Sequence, residues 1–178
     1  MSDEREIALD ACVLLNLVAS GRALAEFAAA VSARLVVVTQ VEREILWIDP
    51  LDPDGDRERV DLDPIIAGGD LHRVVMVTDE LSRFVALARE LDDGEAATLA
   101  VAESRRMVVA TDDRKALRIV GTLTPQPAVV STAGLVRAWA SGRDGAQVSA
   151  CLRQIERRAS FTPPASDPDT AWWRASTG

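Results

Sequence analysis

Residues Leu91 to Val120, LDDGEAATLAVAESRRMVVATDDRKALRIV, constrain the fold more than any other stretch of the chain. They open with a polar turn, Asp92-Asp93-Gly94, whose carboxylates can cap a helix that carries Glu95 in its first turn. Ala96, Ala97, Leu99, Ala100, Val101 and Ala102 leave that helix little polar face, which suits packing against a sheet rather than a place on the surface. After Arg105 and Arg106 comes Met107-Val108-Val109-Ala110, a short apolar run of the kind parallel strands show when both faces are covered. Asp112 and Asp113 follow it. Two acids thus sit at the carboxyl end of a buried strand, where open α/β sheets place their ligands.

The same pattern opens the chain, where Ile7-Ala8-Leu9 runs into Asp10. Val13, Leu14 and Leu17 follow at helical spacing, Gly21 is a stop, and a second amphipathic helix from Arg22 to Ser32 carries Leu24, Phe27 and Ala28. Leu35 to Thr39 reads as a second buried strand and Val41 to Leu46 as the start of a helix, with Glu44 just beyond the strand. Leu71 to Thr78 fits an edge strand, and Leu81, Phe84, Val85, Ala88 and Leu91 a helix capped by Thr78 or Asp79. A helix over 114–120, a strand over 128–130, a helix over 133–141 and a last helix over 144–159 complete an α/β pattern. Asp10, Glu44, Asp112 and Asp113 then share one edge of a parallel sheet, and the helix beside them brings Glu95.

The 178 residues, 48% of them hydrophobic, suit one domain over 1–159 with a sizeable core. Within it, residues 49–64 hold seven acids, Arg57, Arg59 and three prolines, and read as a solvated acidic loop insertion. Residues 160–178, with Pro163, Pro164 and Pro168, read as an irregular C-terminal tail. Its adjacent Trp172 and Trp173 would be an exposed apolar patch unless they dock on this domain or on a partner, a second copy of the chain (a homodimer) included. Cys12 and Cys151 lack metal-type spacing, which points to reduced thiols and a cytoplasmic setting. No apolar run reaches membrane-spanning length, so no membrane partner is expected. His72 is the only histidine, and beside Arg73 it reads as a strand or surface residue, so His-dependent mechanisms drop out.

The formal net charge of −8 argues against a nucleic-acid partner until it is resolved along the chain. Up to Ala100 there are 21 acidic and 9 basic residues, net −12; from Val101 to Ser160 there are 5 and 10, net +5. That asymmetry is compatible with one acidic and one basic surface, and equally with two solvated faces.

Like charges in one pocket repel, and the usual resolution is a bound cation; oxygen ligands without His or Cys select a hard ion, Mg²⁺ or Mn²⁺. A divalent ion on a few carboxylates with open water positions is a common site of phosphate chemistry. Arg114 and Lys115, beside the acids, are candidates for holding phosphates, with a solvated helix face as the other reading. Asp92 and Asp93 are most simply helix caps, and Asp112 or Asp113 alone could be one.

The series I-A-L-D-A-C-V-L-L-N-L from Ile7, then V-E-R-E-I-L, L-D-D-G-E-A-A-T-L-A and V-V-A-T-D-D-R-K-A, resembles the PIN-domain family in order and from Ile7 to about Gly142. It looks most like the VapC-like toxin ribonucleases and their relatives. The resemblance implies a three-layer α/β/α sandwich with a mainly parallel central sheet, Mg²⁺- or Mn²⁺-dependent cleavage of RNA, and an antitoxin partner. Carried over by motif, Asp10, Glu44, Glu95 and Asp113 are the catalytic acids, with Asp112 a further metal ligand or a supporting group. Position 12 is Cys where such families often have a small hydroxyl residue. A catalytically silent PIN-like interaction module remains the alternative. A receiver-type phospho-acceptor domain would want a lysine ending a later strand, whereas Lys115, the only lysine, starts a helix.

Overall fold

The computed structural model describes residues 5–44, 46–52 and 54–178; Ile45 of the helix expected from Val41 and Pro53 of the acidic loop lie outside them. In chain order the elements are β1 (Glu6–Leu9), α1 (Ala11–Ala19), α2 (Leu24–Val31), β2 (Arg34–Val38), α3 (Thr39–Glu42), β3 (Trp47–Ile48), β4 (Glu58–Arg59), α4 (Asp63–Ala67) and β5 (His72–Val74). They continue with α5 (Thr78–Leu87), α6 (Asp93–Arg105), β6 (Val108–Ala110), α7 (Arg114–Val120), β7 (Val129–Val130), α8 (Thr132–Ala140), α9 (Gly145–Arg158) and α10 (Thr170–Thr177).

Five strands form one sheet in the order β5-β2-β1-β6-β7, every neighbouring pair parallel, with Ile7 opposite both Leu35 and Val108. Successive side chains in a strand point to opposite faces, so the three central strands β1, β2 and β6 each feed two cores. Ile7, Leu9, Leu35, Val37, Val108 and Ala110 join the core under α1, α2, α8 and α9. Ala8, Val36, Val38 and Val109 join the second core, under α5, α6 and α7. The result is the expected three-layer α/β/α sandwich. Burial on both faces explains why β1, β2 and β6 carry continuous apolar runs rather than alternating ones.

From β1 the chain adds β2 and β5 on one side, then crosses over to add β6 and β7 on the other. The crevice at the carboxyl ends of β1 and β6 is therefore the topological switch point of the sheet. Asp10 leaves one strand there, and Thr111, Asp112 and Asp113 leave the other.

Three expectations need correction. The helix expected from Val41 to Leu46 stops at Glu42, because Leu46 O accepts the Val60 amide at 2.9 Å and draws the chain towards β4. The acidic stretch 49–64 is not all loop: β3 and β4 pair antiparallel, and the nearly buried Arg158 ties this hairpin to α9 through Asp49 O (3.1 Å) and Glu58 (2.6 Å). The tail from Ser160 is not irregular throughout, since it ends in α10. Trp173, 1% exposed, donates its indole N–H to Glu156 at 2.8 Å and packs edge-on against Phe161. Trp172 lies under the Arg137 guanidinium, so both indoles dock on their own domain. An eight-residue helix has almost no stability alone and forms only because α9 and α8 receive it, which is why its short pattern is faint in the sequence.

No single helix among the described residues is long and apolar enough to cross a membrane, and Cys12 and Cys151 are free thiols. His72 lies half-buried in the edge strand β5.

Candidate active site

Asp10 follows the last residue of β1 and caps α1, its Oδ1 accepting the Ala11 amide at 2.8 Å. Its Oδ2 accepts the Thr111 hydroxyl at 2.8 Å and the Cys12 thiol at 3.4 Å. The cysteine therefore makes the supporting contact for which a hydroxyl residue would serve, and Thr111, from the adjacent strand end, supplies a hydroxyl as well. Asp10 is 4% exposed, and burial raises its pKa while these three hydrogen bonds hold it down. Burial and the neighbouring Asp10 charge push the Cys12 thiol far up, so it stays protonated and donates.

Across the crevice, α6 begins at Asp92, whose side chain accepts the Glu95 amide at 3.4 Å. Glu95, half-buried, is pushed up to about 7 by burial first and then by Asp92, Asp10 and Asp113. Glu44 is also pushed up to about 7, by burial and then by Asp92, Asp10 and Asp93. Part of Glu44 is open to water, but its carboxylate lies over Gly94, where a Cβ would collide with it. The glycine between the cap and Glu95 thus lets a carboxylate from a distant segment settle on the first turn of α6. Asp92, which the sequence marks only as a cap, bears on both glutamates.

The two acids after β6 have different surroundings. Asp113 caps α7, its Oδ1 accepting the amides of Lys115 (2.7 Å) and Ala116 (2.8 Å), and its charge reaches Glu95. Asp112 turns towards α1 and α8: Oδ1 accepts the Thr132 amide at 3.0 Å, and Oδ2 accepts the Thr132 hydroxyl at 2.5 Å and the Asn16 amide at 3.3 Å. Asn16 and Thr132 are buried and joined to each other at 3.0 Å. Burial raises Asp112 and this network restrains it. Arg114 and Lys115 are exposed at the start of α7. Asp10, Asp92 and Asp113 thus bear on Glu95, and Asp10, Asp92 and Asp93 on Glu44, while Asp112 is engaged by Asn16 and Thr132.

Among the described residues, no three His, Cys, Asp or Glu side chains are gathered closely enough to hold a metal ion. The donor chemistry still fits a hard divalent cation. All five acids offer oxygen only, and Glu44 and Glu95, pushed up to about 7 by burial and then by neighbouring carboxylates, would be relieved by a positive charge. Comparison with known protein families, with curated proteins and with solved structures gives no match.

Proposed function

We propose that this protein is a divalent-metal-dependent ribonuclease of the PIN-like, VapC-like type, a hydrolase that cuts RNA phosphodiesters as the toxin of a toxin-antitoxin pair. One observation carries the reading: acids from four separate segments, Asp10, Glu44, Glu95 with Asp92, and Asp113, converge at the switch point of a parallel sheet. Asp10, Glu95 and Asp113 would hold Mg²⁺ or Mn²⁺, with Glu44 and Asp92 alongside. When bound, such an ion lowers the pKa of its water and neutralises charge on the phosphate. Glu44 and Glu95, near 7, exchange protons readily at neutral pH and suit taking a proton from water or returning one to the leaving oxygen. Thr111 and Cys12 fix the Asp10 carboxylate. Arg114 and Lys115 hold the phosphates that flank the cut. Free thiols suit a cytoplasmic setting, and an antitoxin or a second copy of the chain are the protein partners of this reading.

A catalytically silent interaction module is the second reading, and the hydrogen bonds that already occupy Asp10 and Asp112 favour it. Calorimetric titration with Mn²⁺ and cleavage of single-stranded RNA, for the wild type and for Asp10→Asn, Glu95→Gln and Asp113→Asn, separate the two. The nuclease reading expects metal-dependent cleavage that each variant abolishes. Cleavage in excess chelator, or no metal binding at all, overturns it.

A further inference from the structure

On the far side of Thr111 and Asp112 from the acid cluster lies a cavity of about 240 Å³. Its floor is apolar: Leu117 of α7 and Val129 of β7, 39% and 38% exposed, are among the few large aliphatic side chains left open to water. The outer wall is the strap that leads into α10, with Pro164, Asp167 and Pro168. That strap is internally braced, because Pro164 O accepts both the Asp167 amide (2.9 Å) and the Thr170 hydroxyl (2.5 Å), and the Arg137–Asp169 ion pair fastens it to α8. The wall stands ready before any ligand arrives.

A slot smaller than the roughly 300–1,000 Å³ of drug-sized ligand pockets takes one flat ring system, not a peptide. Beside the hydroxyls of Thr111, Ser131 and Ser166, two carboxylates line the slot and bear on which edge of a ring it favours. Asp112 already receives three donors, from Thr132 twice and from Asn16. Asp167 differs: Oδ1 accepts the Asp169 amide at 2.8 Å, and Oδ2 has no hydrogen-bond partner among the described residues. The free Oδ2 of Asp167 is an acceptor open to N–H donors of a ligand. Guanine alone among the bases presents two adjacent donors, N1–H and the N2 amine, on one edge. Adenine and cytosine place an amine beside an acceptor, and uracil sets one N–H between two acceptors.

We infer that the slot formed by Leu117, Val129, Pro164 and Asp167 binds a guanine base of an RNA strand, its ring between the aliphatic and proline walls and its N1–H and N2–H edge on Asp167. The inference rests on the ribonuclease reading. Thr111 lines the slot and also holds Asp10 in the acid crevice, so a base held here belongs to a nucleotide close to the phosphodiester that is cut.

The test is fluorescence anisotropy in chelator, where no cleavage occurs, with short labelled oligouridylates carrying one central guanine, adenine or cytosine, or none. The wild type is expected to bind the guanine oligomer about tenfold tighter than the others, the discrimination of one good bidentate contact. Asp167→Asn, which keeps an acceptor for the Asp169 amide, and Val129→Trp, which fills the slot, are each expected to abolish that preference. Free guanosine monophosphate is expected to compete far more weakly than the oligomer. Equal binding of all oligomers, or a preference that survives both variants, overturns the inference. Competition by the free nucleotide as strong as by the oligomer overturns its RNA-linked form. Guanine preference without Mn²⁺-dependent cleavage supports the slot while removing the nuclease reading, and cleavage without guanine preference does the reverse.

Discussion

Replacing Glu95 with Gln should make the metal-free protein more stable, although it deletes a residue from the proposed catalytic centre. Glu95 sits half-buried, and burial first, then the charges of Asp92, Asp10 and Asp113, push it up to about 7 against an ordinary value of 4.5. At about 1.4 kcal/mol per pKa unit the shift would correspond to roughly 3 kcal/mol of strain above pH 7, and water at the half-open crevice screens this to about 1–2 kcal/mol. Gln gives up the attraction between a carboxylate and the N-terminus of α6, worth about 0.3–1 kcal/mol, so relief of charge burial and repulsion wins. For a chain of this length the gain is a rise in Tm of about 1–6 °C. The sign follows from linkage. The folded pKa lies above the unfolded one, so the wild type carries the full penalty above pH 7, sheds it as the pH falls, and carries none below about 4.5. Thermal melts in chelator should show the variant ahead at pH 8 and level with the wild type at pH 4.5. Added Mn²⁺ should stabilise the wild type and do little for the variant. A variant less stable at pH 8, or a difference independent of pH, refutes the reasoning.

Gly94→Ala places a methyl group where the Glu44 carboxylate lies. Helix propensity offsets the contact, so stability should change by less than about 1 kcal/mol while Mn²⁺ affinity falls, measured by urea melts and calorimetry. Trp173→Ala removes the anchor of α10 and should cost about 3–5 kcal/mol, with the C-terminal segment becoming the first site of limited proteolysis. Thr98→Val deletes a buried hydroxyl that has no hydrogen-bond partner and keeps its shape, so the midpoint of urea unfolding should rise by the equivalent of about 1 kcal/mol.

Much of the frame was legible along the chain because it is written in short-range signals. The Asp92 cap, the apolar body of α6, the run into β6 and the Asp113 cap lie within thirty consecutive residues, and each is settled by neighbours a few positions away. The central strands carry continuous apolar runs because both their faces are covered, so their sequences announce a buried parallel sheet, and Asp10 and Asp113 are placed by where those runs stop.

What a carboxylate faces is decided by partners remote in sequence, and no periodicity reports them. Asp112 and Asp113 are adjacent and chemically identical; Asn16 and Thr132, which reach the sheet edge on α1 and α8, take one, while the other caps α7 within range of Glu95. Asp92 reads locally as a cap and becomes part of an acid cluster only when β1 and the Glu44 turn are packed against it. The strap and α10 show the same division, since eight residues cannot hold a helix without a surface to receive them. The sequence by itself therefore determined the layers, the strands and which acids reach the sheet edge. The tertiary structure alone decided which way those acids turn, and that the last segment folds back to wall a slot beside them, because both depend on contacts between separate elements, from 17 residues apart (Glu156 and Trp173) to 96 (Asn16 and Asp112).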